Sequence, residues 1–79
     1  MNDPFVIEQA NNWAEKIVHS EKDTDARITL AFEMAYARPP SPAQLQRSRE
    51  FVDEHSDKEK VWGDFCHVLI NMKPFIYLN

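Results

Sequence analysis

Four stretches of this chain carry apolar residues at helical spacing, separated by short polar or proline-rich breaks. In the first, Val6, Ala10, Trp13, Ala14 and Ile17 recur at three- and four-residue intervals, which places them on one helix face. Glu8, Asn11, Asn12, Glu15 and Lys16 fall largely elsewhere. Asp3 followed by Pro4 reads as a helix start: the carboxylate accepts from a free N–H, and proline at the first helical position lacks only a donor the helix does not use. The pattern predicts a helix over about 3–19, ended by the polar run HSEKDTD.

The second predicted helix covers about 24–37, capped by Asp23 or Thr24. Ile28, Ala31, Phe32 and Ala35 form one stripe, and Leu30 and Met34 another. A helix apolar around so much of its circumference is expected at the centre of the domain. ARPPSP ends it, because a residue before proline is driven out of the α region. Ser41, Pro42 and Gln44 then spell a capping box. The helix they open, to about 55, has a thin apolar edge of Leu45, Ser48, Phe51 and Val52. It should be the most exposed of the four. The last helix is expected over about 57–72, with Asp57 and Glu59 near its positive end. Val61, Phe65, Val68, Leu69 and Met72 form its stripe, widened by Trp62 and Cys66. Pro74 bars continuation, leaving a tail, 73–79, that carries Phe75, Ile76, Tyr77 and Leu78.

The fold class expected is therefore all-α: one small four-helix domain over 1–79, with an extended apolar C-terminal tail folded onto it. Short connections imply helices that pack against their sequence neighbours. Unequal lengths and a Pro-rich corner favour orthogonal packing over a parallel-sided bundle. One glycine in the chain argues against tight β-hairpins. A domain of 79 residues has roughly 4–12 kcal/mol of net stability, so few large side chains can stay outside the core.

Charge narrows the partners. Thirteen acidic against nine basic residues give a net charge of −4, and the basic ones are scattered. A nucleic-acid binder needs a basic footprint, as does a protein that docks on an anionic membrane; neither partner is expected. No apolar run approaches the ~18 residues of a membrane span. MNDPFVIEQ has neither the basic nor the apolar region of a signal peptide. Cys66 is the lone cysteine, so an internal disulfide, a zinc ribbon and covalent haem attachment are all ruled out.

The candidate chemistry is thin. His19, His55 and His67 sit on separate elements without the i, i+4 spacing of a helical ligand pair, so no metal is expected. His19 and His55 lie at predicted helix C-termini, whose carbonyls favour a cation. A calcium loop around Asp23, Asp25 and Glu33 fails because Arg27 takes the fifth position and Ile28 the sixth, which needs glycine. Cys66 and His67 are adjacent on a helix and point about 100° apart, so the thiol reads as a small buried hydrophobe. Trp13, Tyr36 and Trp62 read as core. No cofactor and no enzymatic activity are expected: the chain reads as a noncatalytic structural or protein-interaction module. The alternative is an accessory domain completing a site supplied by other segments of a larger enzyme, through Asp53, Glu54, His55 and Asp57; a solvated helix end is the simpler account of that charge run.

Two segments, AFEMAYARPPSPAQL and DFCHVLINMKPFIYLN, together resemble the C-terminal region of a family of large exported proteins, abundant in planctomycetes. Its members carry a domain of unknown function and often an upstream cytochrome-c-like domain. Arg38, Pro39, Ser41 and Pro42 match the family's corner. Asp64, Cys66, Leu69, Asn71, Phe75, Ile76 and Tyr77 match its ending. The chain departs from the pattern at Ala37, where the family has glycine, and at Met72-Lys73-Pro74, where it has Ser-x-Glu. The resemblance, over about Phe5 to Asn79, implies an exported parent protein but no reaction.

Phe75, Ile76, Tyr77 and Leu78 are thus the candidate interaction residues. Each is worth about 1.5–3 kcal/mol when fully buried. Either the tail folds back, with Phe75 and Tyr77 or Ile76 and Leu78 between helices, or it docks on another domain of the parent, on a second copy or on a partner's sheet edge.

Overall fold

The polar residues expected to start the first three helices do so. A computed structural model of the chain describes residues 3–72, which form α1 (Pro4–Ser20), α2 (Thr24–Tyr36), α3 (Pro42–Glu54) and α4 (Val61–Met72), with no strand among them. The Asp3 carboxylate accepts from Phe5 N–H at 2.7 Å, and that of Asp23 accepts from Ala26 N–H at 3.1 Å. The capping box of α3 is complete: Gln44 N–H donates to Ser41 Oγ at 3.2 Å, and Ser41 N–H donates to Gln44 Oε1 at 2.9 Å. Phe75–Leu78 and the rest of the tail lie outside the described residues.

α4 starts later than its charge pattern suggests, at Val61 instead of 57. Asp57 is the reason. Its Oδ1 accepts from the N–H groups of both Glu59 and Lys60, at 3.0 and 3.2 Å. That closes a separate turn, and the helical ladder begins one step on, with Asp64 N–H donating to Lys60 O at 2.9 Å.

The centre of the domain is α4 and not α2. Val61, Trp62, Phe65, Cys66 and Leu69 are buried there, against three buried residues on α2 and one buried apolar residue, Val52, on α3. α1 packs most extensively along α4. Its buried face is small, Ala10 and Ala14, and widens to Ile17. Opposite lies Gly63, where a Cβ would come within 2.2 Å of Asn11 Oδ1, the tip of an exposed side chain that would have to turn aside. The predicted stripes also split. Met34 and Ala35 of α2, and Val68 and Met72 of α4, are exposed, because each helix has neighbours on only part of its circumference.

Ala37 ends α2 in the left-handed region, at φ 60° and ψ 27°, with its N–H on Glu33 O. A Cβ in this conformation costs roughly 1–2 kcal/mol, and glycine is the usual resident. Ala37→Gly is therefore expected to raise stability by about 0.5–1 kcal/mol, glycine's greater unfolded-state entropy offsetting part of the relief. Chemical denaturation checks this through a higher midpoint at unchanged slope.

Candidate functional site

The last carbonyls of a helix have no partner within it, and this chain meets that need with its most chemically versatile side chains. Arg27, one turn into α2, donates through Nε to Glu21 O at 2.6 Å and through Nη2 to Val18 O at 3.4 Å. Its guanidinium also lies 5.5 Å from the centre of the Trp62 ring, a cation–π contact that ties the α1–α2 corner to α4. Lys58 closes the end of α3, its Nζ donating to Val52 O at 2.8 Å and Asp53 O at 3.0 Å. The Tyr36 hydroxyl, from the last turn of α2, donates to Leu69 O in the last turn of α4. Burial raises the Tyr36 pKa.

His55 does not bind helix carbonyls as its position suggested; Lys58 has that role. The His55 Nδ1 accepts from Asp57 N–H at 3.1 Å. An N–H only donates, so the ring hydrogen sits on Nε2 and is given to Asp64 Oδ2, 2.7 Å away. The ring also meets Phe51 edge-on at 5.5 Å. His55 therefore bridges α3, the following turn and α4. Asp53, Glu54 and Asp57 are exposed, and Asp57 is engaged in the turn already described. Asp25 and Arg49 form a two-pronged ion pair between α2 and α3, with Nε to Oδ1 at 2.8 Å. The hydrogen bond from Arg49 holds the Asp25 carboxyl below its usual range.

The remaining candidates stay apart. Cys66 is buried with its pKa pushed up to about 12 by desolvation, the state of an inert thiol. His19 is exposed at the end of α1. Among the described residues no group of three or more His, Cys, Asp or Glu side chains is placed to hold a metal ion, every buried side-chain polar atom has a partner, and no helix is long and apolar enough to cross a membrane. Trp62 is core. Trp13 and Tyr36 are half-buried and line a cavity of about 440 Å³ whose rim carries Gln9, Asn12 and Lys16; Trp13 Nε1–H there donates to Met34 Sδ at 3.3 Å.

One surface has a different character. Between α3 and α4 runs a groove of about 220 Å³, lined by Phe32, Phe51, Phe65 and Leu69, by the exposed Val68 and Met72, and on the α3 side by Gln44, Arg47 and Ser48. The sequence missed it because Val68 and Met72 read as core. It also missed Arg27, Lys58 and Tyr36 as caps. Arg27 and Lys58 had a local signal, a long cationic side chain seven and four residues beyond a helix end. Tyr36 and Leu69 are 33 positions apart, and no local pattern joins them.

Over residues 1–52 the chain matches a family model described as PSD1, a protein of unknown function (DUF1553). The match takes in α1, α2, the Arg38–Pro42 corner and most of α3, and it stops short of α4. Neither the curated proteins nor the solved structures contain a match.

Proposed function

Because the chain belongs to the DUF1553 family, we propose that it is a noncatalytic helical module that acts by packing: a structural and protein-contact unit of a larger parent protein. The observation that carries this reading is the use of its polar side chains. Arg27, Tyr36 and Lys58 close helix ends, and His55 and Asp57 build a corner. A group that serves as acid, base or ligand must keep a lone pair or proton for its substrate; His55 has both ring nitrogens engaged within the fold. The groove between α3 and α4 is the contact surface. The resemblance of the corner and ending to large exported proteins supports the wider context.

His55→Ala tests this reading. It removes two hydrogen bonds and a ring contact from a largely buried side chain, together about 2 kcal/mol. For a domain of this size the melting temperature should fall by roughly 8–16 °C. An unchanged melt would show that the fold does not depend on His55 and would favour an accessory site in a larger enzyme.

A further inference from the structure

The neutral His55 ring carries one hydrogen, and the fold uses both of its nitrogens. Nε2 gives its hydrogen to Asp64 Oδ2 at 2.7 Å, and Nδ1 accepts from Asp57 N–H at 3.1 Å. The second bond exists only while Nδ1 keeps its lone pair. Histidine is the side chain that ordinarily gains a proton between about pH 8 and 5, and the ring position left for that proton is Nδ1. We propose that His55 is an acid-sensitive latch on the turn between α3 and α4, closed when the ring is neutral and opened when it is charged. The inference rests on the reading of the polar side chains as ties between helices, and adds a condition under which one tie lets go.

The geometry decides which partner gives way. With hydrogens on both nitrogens, Nδ1–H and Asp57 N–H meet donor to donor. The contact with Asp64 changes the other way, because it then joins two opposite charges. The ring also meets Phe51 edge-on at 5.5 Å, and the side chain is 18% exposed: open enough for water to deliver a proton, too enclosed for the ring to swing out freely. The ring therefore stays between α3 and α4, and the Asp57 amide turns away.

The turn registers that loss. Asp57 Oδ1 accepts from the N–H groups of Glu59 and Lys60, Lys58 Nζ holds Val52 O and Asp53 O, and Lys60 O takes the N–H of Asp64. Residues 56–60 are all exposed, so these hydrogen bonds, and not core packing, fix the segment. The charged groups of the elements His55 touches are Asp53 and Glu54 on α3, Asp57, Lys58, Glu59 and Lys60 in the turn, and Asp64 on α4. Five of these seven are carboxylates, so the charge gained by the ring meets attraction on balance, and the repulsion is confined to the Asp57 N–H.

The test is NMR of the intact chain in dilute solution, stepped from about pH 7.5 to 5. Nitrogen-15 shifts of the ring follow its protonation. Amide exchange, corrected for its intrinsic pH dependence, follows the turn. Once both ring nitrogens carry hydrogen, protection of the Asp57 amide should fall by about tenfold or more, while the amides of Cys66 and Leu69 in the core keep theirs. In His55→Gln, whose side chain takes no proton in this range, the step should be absent. An Asp57 amide that stays protected beside a doubly protonated ring would overturn the proposal. So would a ring that stays neutral to pH 5, core amides that lose protection together with Asp57, or a step that survives in His55→Gln. The packing reading fails separately, on the His55→Ala melt at neutral pH.

Discussion

Phe32→Ala is expected to lower the unfolding free energy by roughly 3–5 kcal/mol, the range for deleting a buried phenylalanine ring. Phe32 is among the largest fully buried side chains of the domain. Its ring meets Tyr36 edge-on at 5.5 Å, and Tyr36 in turn holds the end of α4 through Leu69 O. The substitution therefore opens a void and loosens a tie between α2 and α4. Against a total of roughly 4–12 kcal/mol for 79 residues, such a loss leaves a marginal fold. Thermal melting by circular dichroism should show a fall of at least about 12 °C. Phe5→Ala is the matched control: Phe5 is 65% exposed, and its loss should change stability by less than ~0.5 kcal/mol. Equal effects at the two positions would contradict the assignment of the core.

The second large effect is alkaline. The thiol of Cys66 is raised from 9.0 to about 12 by burial. A group whose folded pKa lies above its unfolded value stabilises the fold fully below the unfolded value, and that contribution is lost as pH rises through the folded one. Between pH 9 and 12 the unfolded chain binds fewer protons than the folded chain, so unfolding free energy falls with pH, by up to about 1.4 kcal/mol per unit from this one group. Urea denaturation at pH 8 to 10.5 should show a steeper decline in the natural chain than in Cys66→Ala. Tyr36, raised by burial as well, acts in the same direction in both proteins and drops out of the comparison. In the folded state Cys66 should resist alkylation at neutral pH and react only on unfolding. Parallel pH profiles would mean that the thiol is not desolvated.

Much of the fold is legible from local chemistry. Asp3, Asp23 and the Ser41–Gln44 box cap helices because capping depends on residues two or three apart. The buried face of α1 follows from spacing alone. Which residues of α2 and α4 are covered does not, because that depends on where neighbouring helices lie. Ala35 shares the stripe of Phe32, and Val68 and Met72 share that of Leu69; they differ from them only in what stands opposite. The start of α4 is not legible locally, because Asp57 fits a helix N-terminus and a separate turn equally well by sequence; its two accepted N–H groups decide for the turn. Ala37 is the reverse case: glycine is the usual resident of a left-handed helix end, and the conformation forms here without it.

The same division holds for the candidate site. That Cys66 is a buried thiol was readable from its place beside the apolar stripe of α4. That His55 bridges α3 and α4, and that Tyr36 closes α4, depended on tertiary contacts nine and 33 positions apart.

The central claim, that the polar side chains of this module hold its helices together instead of serving a reaction, is tested most directly by nitrogen-15 NMR of the His55 ring in dilute protein. The account predicts one tautomer, with the hydrogen on Nε2, and a protected Asp57 amide hydrogen-bonded to Nδ1. A ring that averages between tautomers beside a freely exchanging Asp57 amide would contradict it, and would leave His55 available for chemistry.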